Sequence, residues 1–309
     1  DSKKALGISF FTALLFAIHP VQVETVCWIS ASKIVLSTFF YLSALICYIQ
    51  YMRNSKWQYL LASVVSSILA MGCKEQSVII VPCLLLFDWM LFKRNMRSLK
   101  VYIEKVYYLI PAIAIFIVTL VANKNTGEEI IGYTIVDRFI FLCYSSFKYL
   151  LISAIPFKLS YLYPFPFQVG EKIPMALWIY PFVILFIGYV IYLNRRKPLL
   201  VFCTLFFILH LLPVLHVIPL PRYVVAADRY LYIPYIAFAI GLSILSYHLY
   251  ERQRKWILYA GFLYCSYLCV YTAGYAPAWK NSDTLKEHFK EVLKKRETNL
   301  SINFKHEKQ

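Results

Sequence analysis

Apolar runs of roughly 15 to 21 residues, near the length that crosses a bilayer, recur along the chain. They fall at 5–19, 34–52, 57–73, 77–92, 106–123, 176–193, 199–219, 230–250 and 256–273. A further run, 139–155, is apolar but carries Lys148 in its middle. Helices close their own backbone hydrogen bonds in lipid, and the alternating strands that a barrel needs are absent from the sequence. The pattern predicts an all-α protein, a polytopic transmembrane helical bundle.

Charge between the runs assigns their sides. One set of loops carries Lys3 and Lys4, Arg53 and Lys56, Lys93 to Lys105, Arg195 to Lys197, and Arg252 to Lys255, with only Glu104 and Glu251 as acids. Basic loops stay cytoplasmic. The other set carries Glu24, Glu75, Glu128, Glu129, Asp137, Glu171 and Asp228 and is expected outside. If 139–155 crossed, the Asn194-Arg195-Arg196-Lys197 loop would fall on the wrong side. The expectation is therefore about nine spans plus one interfacial or re-entrant helix. Residues 1–274 form the transmembrane domain, with the interfacial helix and an external loop at about 124–175, and 275–309 form an external tail. In the tail, Leu285, Phe289, Val292 and Leu293 make one helical stripe, and Thr284 with Glu287 fits a capping box. A lone amphipathic helix needs the membrane surface, a partner or further helices.

Composition narrows the class. Of 309 residues, 60% are hydrophobic and 16% charged, against about 25% charged in soluble domains. That excludes a water-soluble globular protein and a disordered chain. The formal net charge is +16. In a membrane protein this excess belongs to cytoplasmic loops, so the partner it implies is the lipid bilayer and no nucleic acid. The aromatic content of 18%, with 26 Tyr, suits rings at the bilayer interfaces. Lys3 and Lys4 before Ala5–Ile18 resemble a signal peptide, but no small-residue cleavage site follows and the run ends in His19-Pro20. The eight cysteines lie mostly inside spans, where Cys is a small apolar residue. They match no metal-ligand spacing, and no glycine phosphate loop, GxSxG or HExxH is present.

Ionisable residues at the edge of a span are costly and are functional candidates by default. Four groups stand out. In His19-Pro20-x-x-x-Glu24, proline breaks the helix so that both side chains can face one external cavity. They would bind a metal, a phosphate or an acceptor there, or else His19 is a helix cap and Glu24 is solvated. Lys74-Glu75-Gln76 sits between two spans, as a local ion pair or part of a lipid-phosphate site. Arg222-Tyr223 and Ala227-Asp228-Arg229-Tyr230 put two guanidiniums around an acid. Arg holds phosphate bidentately, and Asp228 would orient an Arg or ligate a divalent ion; the bland alternative is an Asp–Arg pair anchoring a helix start. Pro156 to Pro164, with Lys158, Tyr161 and Tyr163, is an interface belt or a platform for lipid or sugar. Asp88, beside Trp89, reads as a helix-end residue.

In order, His19-Pro-x-x-x-Glu24 with Trp28, Lys74-Glu75, Leu159-Ser160-x-x-Tyr163-Pro164, Ala227-Asp228-Arg229-Tyr230 with Tyr232 and Pro234, and Trp279-x-x-Ser282-x-Thr284-Leu285 form a set. The set resembles the GT-C type membrane glycosyltransferases that carry C-terminal tetratricopeptide repeats, including the transmembrane O-mannosyltransferases that act on cadherins and bacterial tetratricopeptide-repeat membrane proteins. The likeness covers about residues 8 to 293. It implies a polyprenyl-phosphate sugar donor, an active site on the external or lumenal face, a protein Ser/Thr hydroxyl as acceptor and external repeats that bind it. The membrane would be the bacterial inner membrane, or the endoplasmic reticulum in a eukaryote. On this likeness His19, Glu24 and Asp228 are catalytic, and Arg222, Arg229 and Lys74 hold the donor phosphate. Tyr161, Tyr163 and Tyr230 form an acceptor or lipid platform, and Glu24 with Asp228 ligates a divalent cation, Mg or Mn. The likeness starts at the family's second span, so it implies an earlier span and an acidic first loop outside this chain, holding the general base. The tail from 279 would start the repeat array. Two other readings remain: a non-catalytic membrane anchor for repeats, and a transporter of lipid-linked sugars, which would spread polar groups through the spans.

Overall fold

The computed structural model describes residues 2–124, 132–160, 162–216 and 224–290. Among these the chain is an all-helical bundle, and its one β feature is an isolated bridge between Tyr163 and Ala226. The helices in chain order are α1 (Ser2–Ile18), α2 (Val23–Cys27), α3 (Ser32–Asn54), α4 (Trp57–Cys73), α5 (Ile80–Met90), α6 (Leu99–Lys124), α7 (Ile135–Ala154), α8 (Ile179–Leu193), α9 (Pro198–Leu211), α10 (Pro234–Arg252) and α11 (Arg254–Tyr275). A last helix, α12, covers 282–290.

Small residues set the closest pair. Ser55, left-handed at φ 55°, ends α3 and turns the chain straight into α4. Ser37, Ala44, Ser63 and Ala70 are buried between the two helices. Ser37 donates to the Ala70 carbonyl at 2.9 Å and Ser63 to the Ala44 carbonyl at 2.7 Å. Small side chains let backbones approach, and hydroxyls then bond across the gap.

Three segments by themselves are long and apolar enough to cross a membrane besides α3 with its preceding turn: Leu99–Thr119, Met175–Leu193 and Arg254–Trp279. A fifth candidate is α1 joined to Pro20–Cys27 through a 55° bend, and Trp57–Cys73 and Pro198–Val214 are shorter apolar helices. That is fewer than the nine expected. Proline accounts for part of the difference. The 199–219 run stops as an α-helix before Pro213, and the 230–250 run starts its α-helix only at Pro234. The 77–92 run opens as a 3-10 turn, Glu75–Ile79. Large apolar side chains on α8 (Phe182, Leu185, Phe186) and α11 (Phe262, Leu263, Val270) face outward, a surface suited to lipid and unsuited to water.

The basic ends of the helices meet. Lys4 lies over the Tyr247 ring and 4.0 Å from Glu251, joining the start of α1 to the end of α10. At the same end, residues expected in a loop are instead helical and buried, because α6 begins at Leu99 and carries Glu104 and Lys105 inward. There they meet Asp88, which is fully buried rather than a simple helix-end residue. Asp88 accepts from Tyr48 at 2.5 Å and pairs with Lys105 at 2.7 Å and Arg94 at 3.3 Å. Arg94 also grips both Glu104 oxygens, at 2.6 and 3.2 Å. Two acids and two bases neutralise one another, and every carboxylate oxygen has a donor.

Helix α7 coincides closely with the expected 139–155 element. Its capping box is formed by Thr134 and Asp137. Phe141, near its start, packs against His216 beyond α9, while Ala154, at its end, accepts from Tyr264 of α11. In the tail, the cap is Asn281, whose side chain accepts from the Thr284 amide at 2.8 Å. The helix therefore begins before the box expected at Thr284 and Glu287. Leu285 packs on the bundle core and His288 on the Tyr275 ring. Val292 and Leu293 lie outside the described residues.

Candidate functional site

Opposite the Asp88 cluster, four separated stretches converge. Proline does the first part. His19 is extended and Pro20 starts a 3-10 turn, so α1 breaks and α2 turns aside by 55°, with Glu24 buried. The Thr272 hydroxyl of α11 bonds the Ile18 carbonyl at 2.7 Å and fixes the break. On the facing side, the stretch leading to Asp228 is pinned twice. The Val225 amide donates to the Tyr163 carbonyl at 2.9 Å, and the Ala227 amide to the Tyr149 hydroxyl at 3.3 Å. Tyrosines at helical spacing on α11 hold the loop after α7: Tyr264 bonds the Ala154 carbonyl, Tyr267 the Pro156 carbonyl and Tyr271 the Leu159 amide.

The result is a buried ionic cluster outside the long apolar helices. Glu24 is 0% exposed. One of its oxygens accepts from the Arg229 amide at 2.8 Å and the other from the Arg229 guanidinium at 2.6 Å. That guanidinium lies 5.6 Å from the Trp28 ring centre and 5.1 Å from that of Tyr230, within cation–π range. Asp228 is also 0% exposed. Its Oδ1 accepts from the Tyr163 hydroxyl at 2.8 Å, and its Oδ2 has no hydrogen-bond partner. Lys148 sits 3.8 Å above the Tyr163 ring. Gln22, Thr25 and Ser160, in the same region, also have buried polar atoms without partners. Buried polar atoms without a partner cost stability.

Burial pushes the Glu24 carboxyl above its ordinary range, and the Arg229 guanidinium and Lys74 pull it back. Burial raises Asp228 well above the usual aspartate range, and the nearby Glu24 charge adds to it. Tyr163, Lys148 and Arg229 oppose that shift. Two carboxylates near one arginine are set differently: Glu24 is paired, and Asp228 is short of compensation.

The expected site residues divide accordingly. Glu24, Asp228 and Arg229 come together, although it is Glu24, not Asp228, that holds Arg229. Lys74 joins Arg229 in lining a cavity of about 40 Å³ that also reaches Gln76, Ser37, Tyr41 and His210, room for water but not for a sugar phosphate. His19 is fully buried and its Nδ1 accepts from the Val21 amide at 3.3 Å, so it caps the start of the 3-10 turn Pro20–Gln22 rather than the end of α1, beside a tilted Tyr235 ring 4.3 Å away. Glu24 is not solvated. Tyr163 is no surface platform: it is 2% exposed and its hydroxyl clamps Asp228. Tyr230 is half-buried beside Arg229. Arg222 and Tyr161 lie outside the described residues. The site fits a divalent cation poorly, because both Glu24 oxygens are on Arg229 and only Asp228 Oδ2 remains. Among the described residues no three His, Cys, Asp or Glu side chains gather to hold a metal.

Sequence reasoning missed Tyr149 and His210. His210 accepts or donates at both ring nitrogens, to the Phe206 carbonyl and the Tyr41 hydroxyl, each at 2.8 Å. A histidine inside an apolar run was the available signal. Compared with protein-family models, curated proteins and solved structures, the chain matches none.

Proposed function

We propose that this chain is the membrane part of a GT-C type glycosyltransferase, mannosyltransferase-like, which moves a sugar from a polyprenyl-phosphate carrier to an external hydroxyl, on a protein Ser or Thr. In this reading the chain crosses the bilayer about nine times and α7 lies along the external interface. Both ends of α7 contact the half of the bundle that carries the site, and the Lys4, Arg94 and Lys105 clusters gather at the opposite end, which supports that topology.

Arg229 and Lys74 are the cations at the mouth, and they take the donor phosphate from above the small water-sized cavity. Glu24 fixes Arg229 by side chain and backbone, so the guanidinium is oriented before the donor arrives, as electrostatic catalysis requires. In the transfer step the acceptor oxygen bonds to the anomeric carbon and the bond from that carbon to the phosphate oxygen breaks. The electron pair leaves with the phosphate. The hydroxyl proton passes to a carboxylate, and in this reading that base is Asp228, in place of the loop residue that the resemblance implies, because Asp228 is the residue of this cluster with an uncommitted oxygen and a raised proton affinity. His19 holds the α1 break. Tyr163 and Tyr230 position Asp228 and Arg229.

The observation that carries this reading is a buried carboxylate with one unpaired oxygen beside an arginine already oriented by a second carboxylate. The test uses membranes containing the protein in its full length, with radiolabelled polyprenyl-phosphate mannose as donor. Arg229→Ala and Asp228→Asn should each abolish transfer while expression persists. Transfer that survives both changes removes the assignment.

A further inference from the structure

A large cavity lies away from this cluster. It is a groove of about 1040 Å³ between α8, α9 and α10, roofed by Leu142 and Leu150 of α7. Its walls are apolar along the length of the helices, from Leu215 and Phe238 near the α7 roof to Leu199 and Leu245. Leu199, Ile208 and Leu245 are exposed, so the groove is open to its surroundings. Two hydroxyls, Ser146 and Thr204, interrupt the apolar walls, and the cations of the lining, Arg196 and Lys197, stand at one end beside His248. Of the three consecutive cations in that turn, Arg195 is turned onto the Tyr192 ring, at 4.1 Å. Arg196 and Lys197 are the two that face the groove. Glu251, three residues beyond His248, lies 4.0 Å from Lys4 and 3.7 Å from His248.

We infer that this groove seats an acyl chain of an anionic phospholipid whose headgroup phosphate rests on Arg196 and Lys197. The walls match hydrocarbon, and the charge fixes the end at which an anion belongs. Basic pockets between membrane helices on the cation-rich side take anionic headgroups in this way. The site is separate from the donor site: its cations stand at the Lys4 end, and its α7 end has no cation in the lining. A polyprenyl phosphate held at Arg229 would need its charge at that other end.

Two glycines supply a direct test of occupancy. A Cβ at Gly188 or Gly241 meets nothing within 4 Å, and both residues line the groove. Gly188→Phe and Gly241→Phe therefore place a ring in the groove without a backbone clash. The full chain is reconstituted with equal amounts of phosphatidylglycerol and phosphatidylcholine of the same acyl length, and with undecaprenyl phosphate in a second arm. It is then purified, and retained lipid is measured by native mass spectrometry. Phosphatidylglycerol should be retained preferentially. Arg196→Gln and Lys197→Gln should each lower that preference about fivefold, the worth of one cation near an anionic headgroup. The phenylalanine variants should lose lipid altogether while keeping the wild-type melting midpoint. If a phenylalanine variant lowers the midpoint, the two glutamine variants decide. Equal retention of the two phospholipids, a preference untouched by the glutamine changes, or retention of undecaprenyl phosphate in place of phosphatidylglycerol overturns the assignment.

Discussion

Two buried ionic clusters stand at opposite ends of the same bundle, and they are finished to different degrees. At the basic end, Asp88 and Glu104 face Arg94 and Lys105, Tyr48 and Tyr51 add hydroxyls, and each acid oxygen is bonded. At the other end, Glu24 takes all of its bonds from Arg229, while Asp228 keeps one oxygen unpaired among further unpaired atoms of Gln22, Thr25 and Ser160. A buried network that is complete rigidifies a fold, whereas one left incomplete costs stability. The comparison teaches that charge inside this bundle has two uses. The complete cluster joins α3, α5 and α6. In the proposed reading, the incomplete one receives an incoming group.

The contrast can be broken most forcefully at Arg94. Arg94→Ala leaves Glu104 and Asp88 buried with one cation between them. Loss of one partner of a buried pair costs about 3–5 kcal/mol, to be read as a fall in the thermal or detergent-unfolding midpoint. Arg229→Ala strands the buried Glu24 in the same way and should cost a comparable amount, because the two arginine side chains are about equally exposed, at 17% and 16%, and it should also abolish transfer. The two effects are separated by measuring unfolding and activity on one preparation. Next in size is Tyr163→Phe, which deprives Asp228 of its bonded donor. A loss of about 1–2 kcal/mol is expected, together with a changed pH profile of transfer.

The smallest effect has a defined sign. Burial holds the folded-state pKa of Asp228 above the ordinary value of about 3.9. The folded chain therefore binds that proton more tightly than the unfolded one. The resulting penalty is absent below the ordinary value and grows as pH rises through it toward the folded value. Asparagine has no such dependence. The stability of Asp228→Asn relative to wild type should be near zero at pH 4 and should climb toward neutral pH, as followed by melting midpoints across a pH series.

How much of this was legible in the sequence follows from what each signal measures. Hydrophobic runs located α3, α8, α11 and α7 within a few residues, because apolar stretches in a membrane protein have little choice of place. The runs misjudged the ends at Pro213 and Pro234, where apolar residues continue but the α-helix does not. Glu24, Asp228 and Arg229 stood out because charge beside a span is costly. Their pairing did not, since a contact across 205 residues leaves no local trace. The same reasoning misplaced Lys105, because a cation near a predicted loop looks solvated until α6 is seen to start six residues before it. Tyr163 looked like an interface ring, and its burial and its hydroxyl bond to Asp228, 65 residues away, show that it faces inward.

The most direct measurement sets Asp228→Asn beside Asp88→Asn in one full-length background, with sugar transfer and melting midpoint determined for each. Asp228→Asn should lose transfer and keep or raise the neutral-pH midpoint, and Asp88→Asn should lower the midpoint while the protein that remains folded transfers normally. Transfer retained in Asp228→Asn, or a collapse in its midpoint equal to that of Asp88→Asn, would mean that both clusters are merely structural.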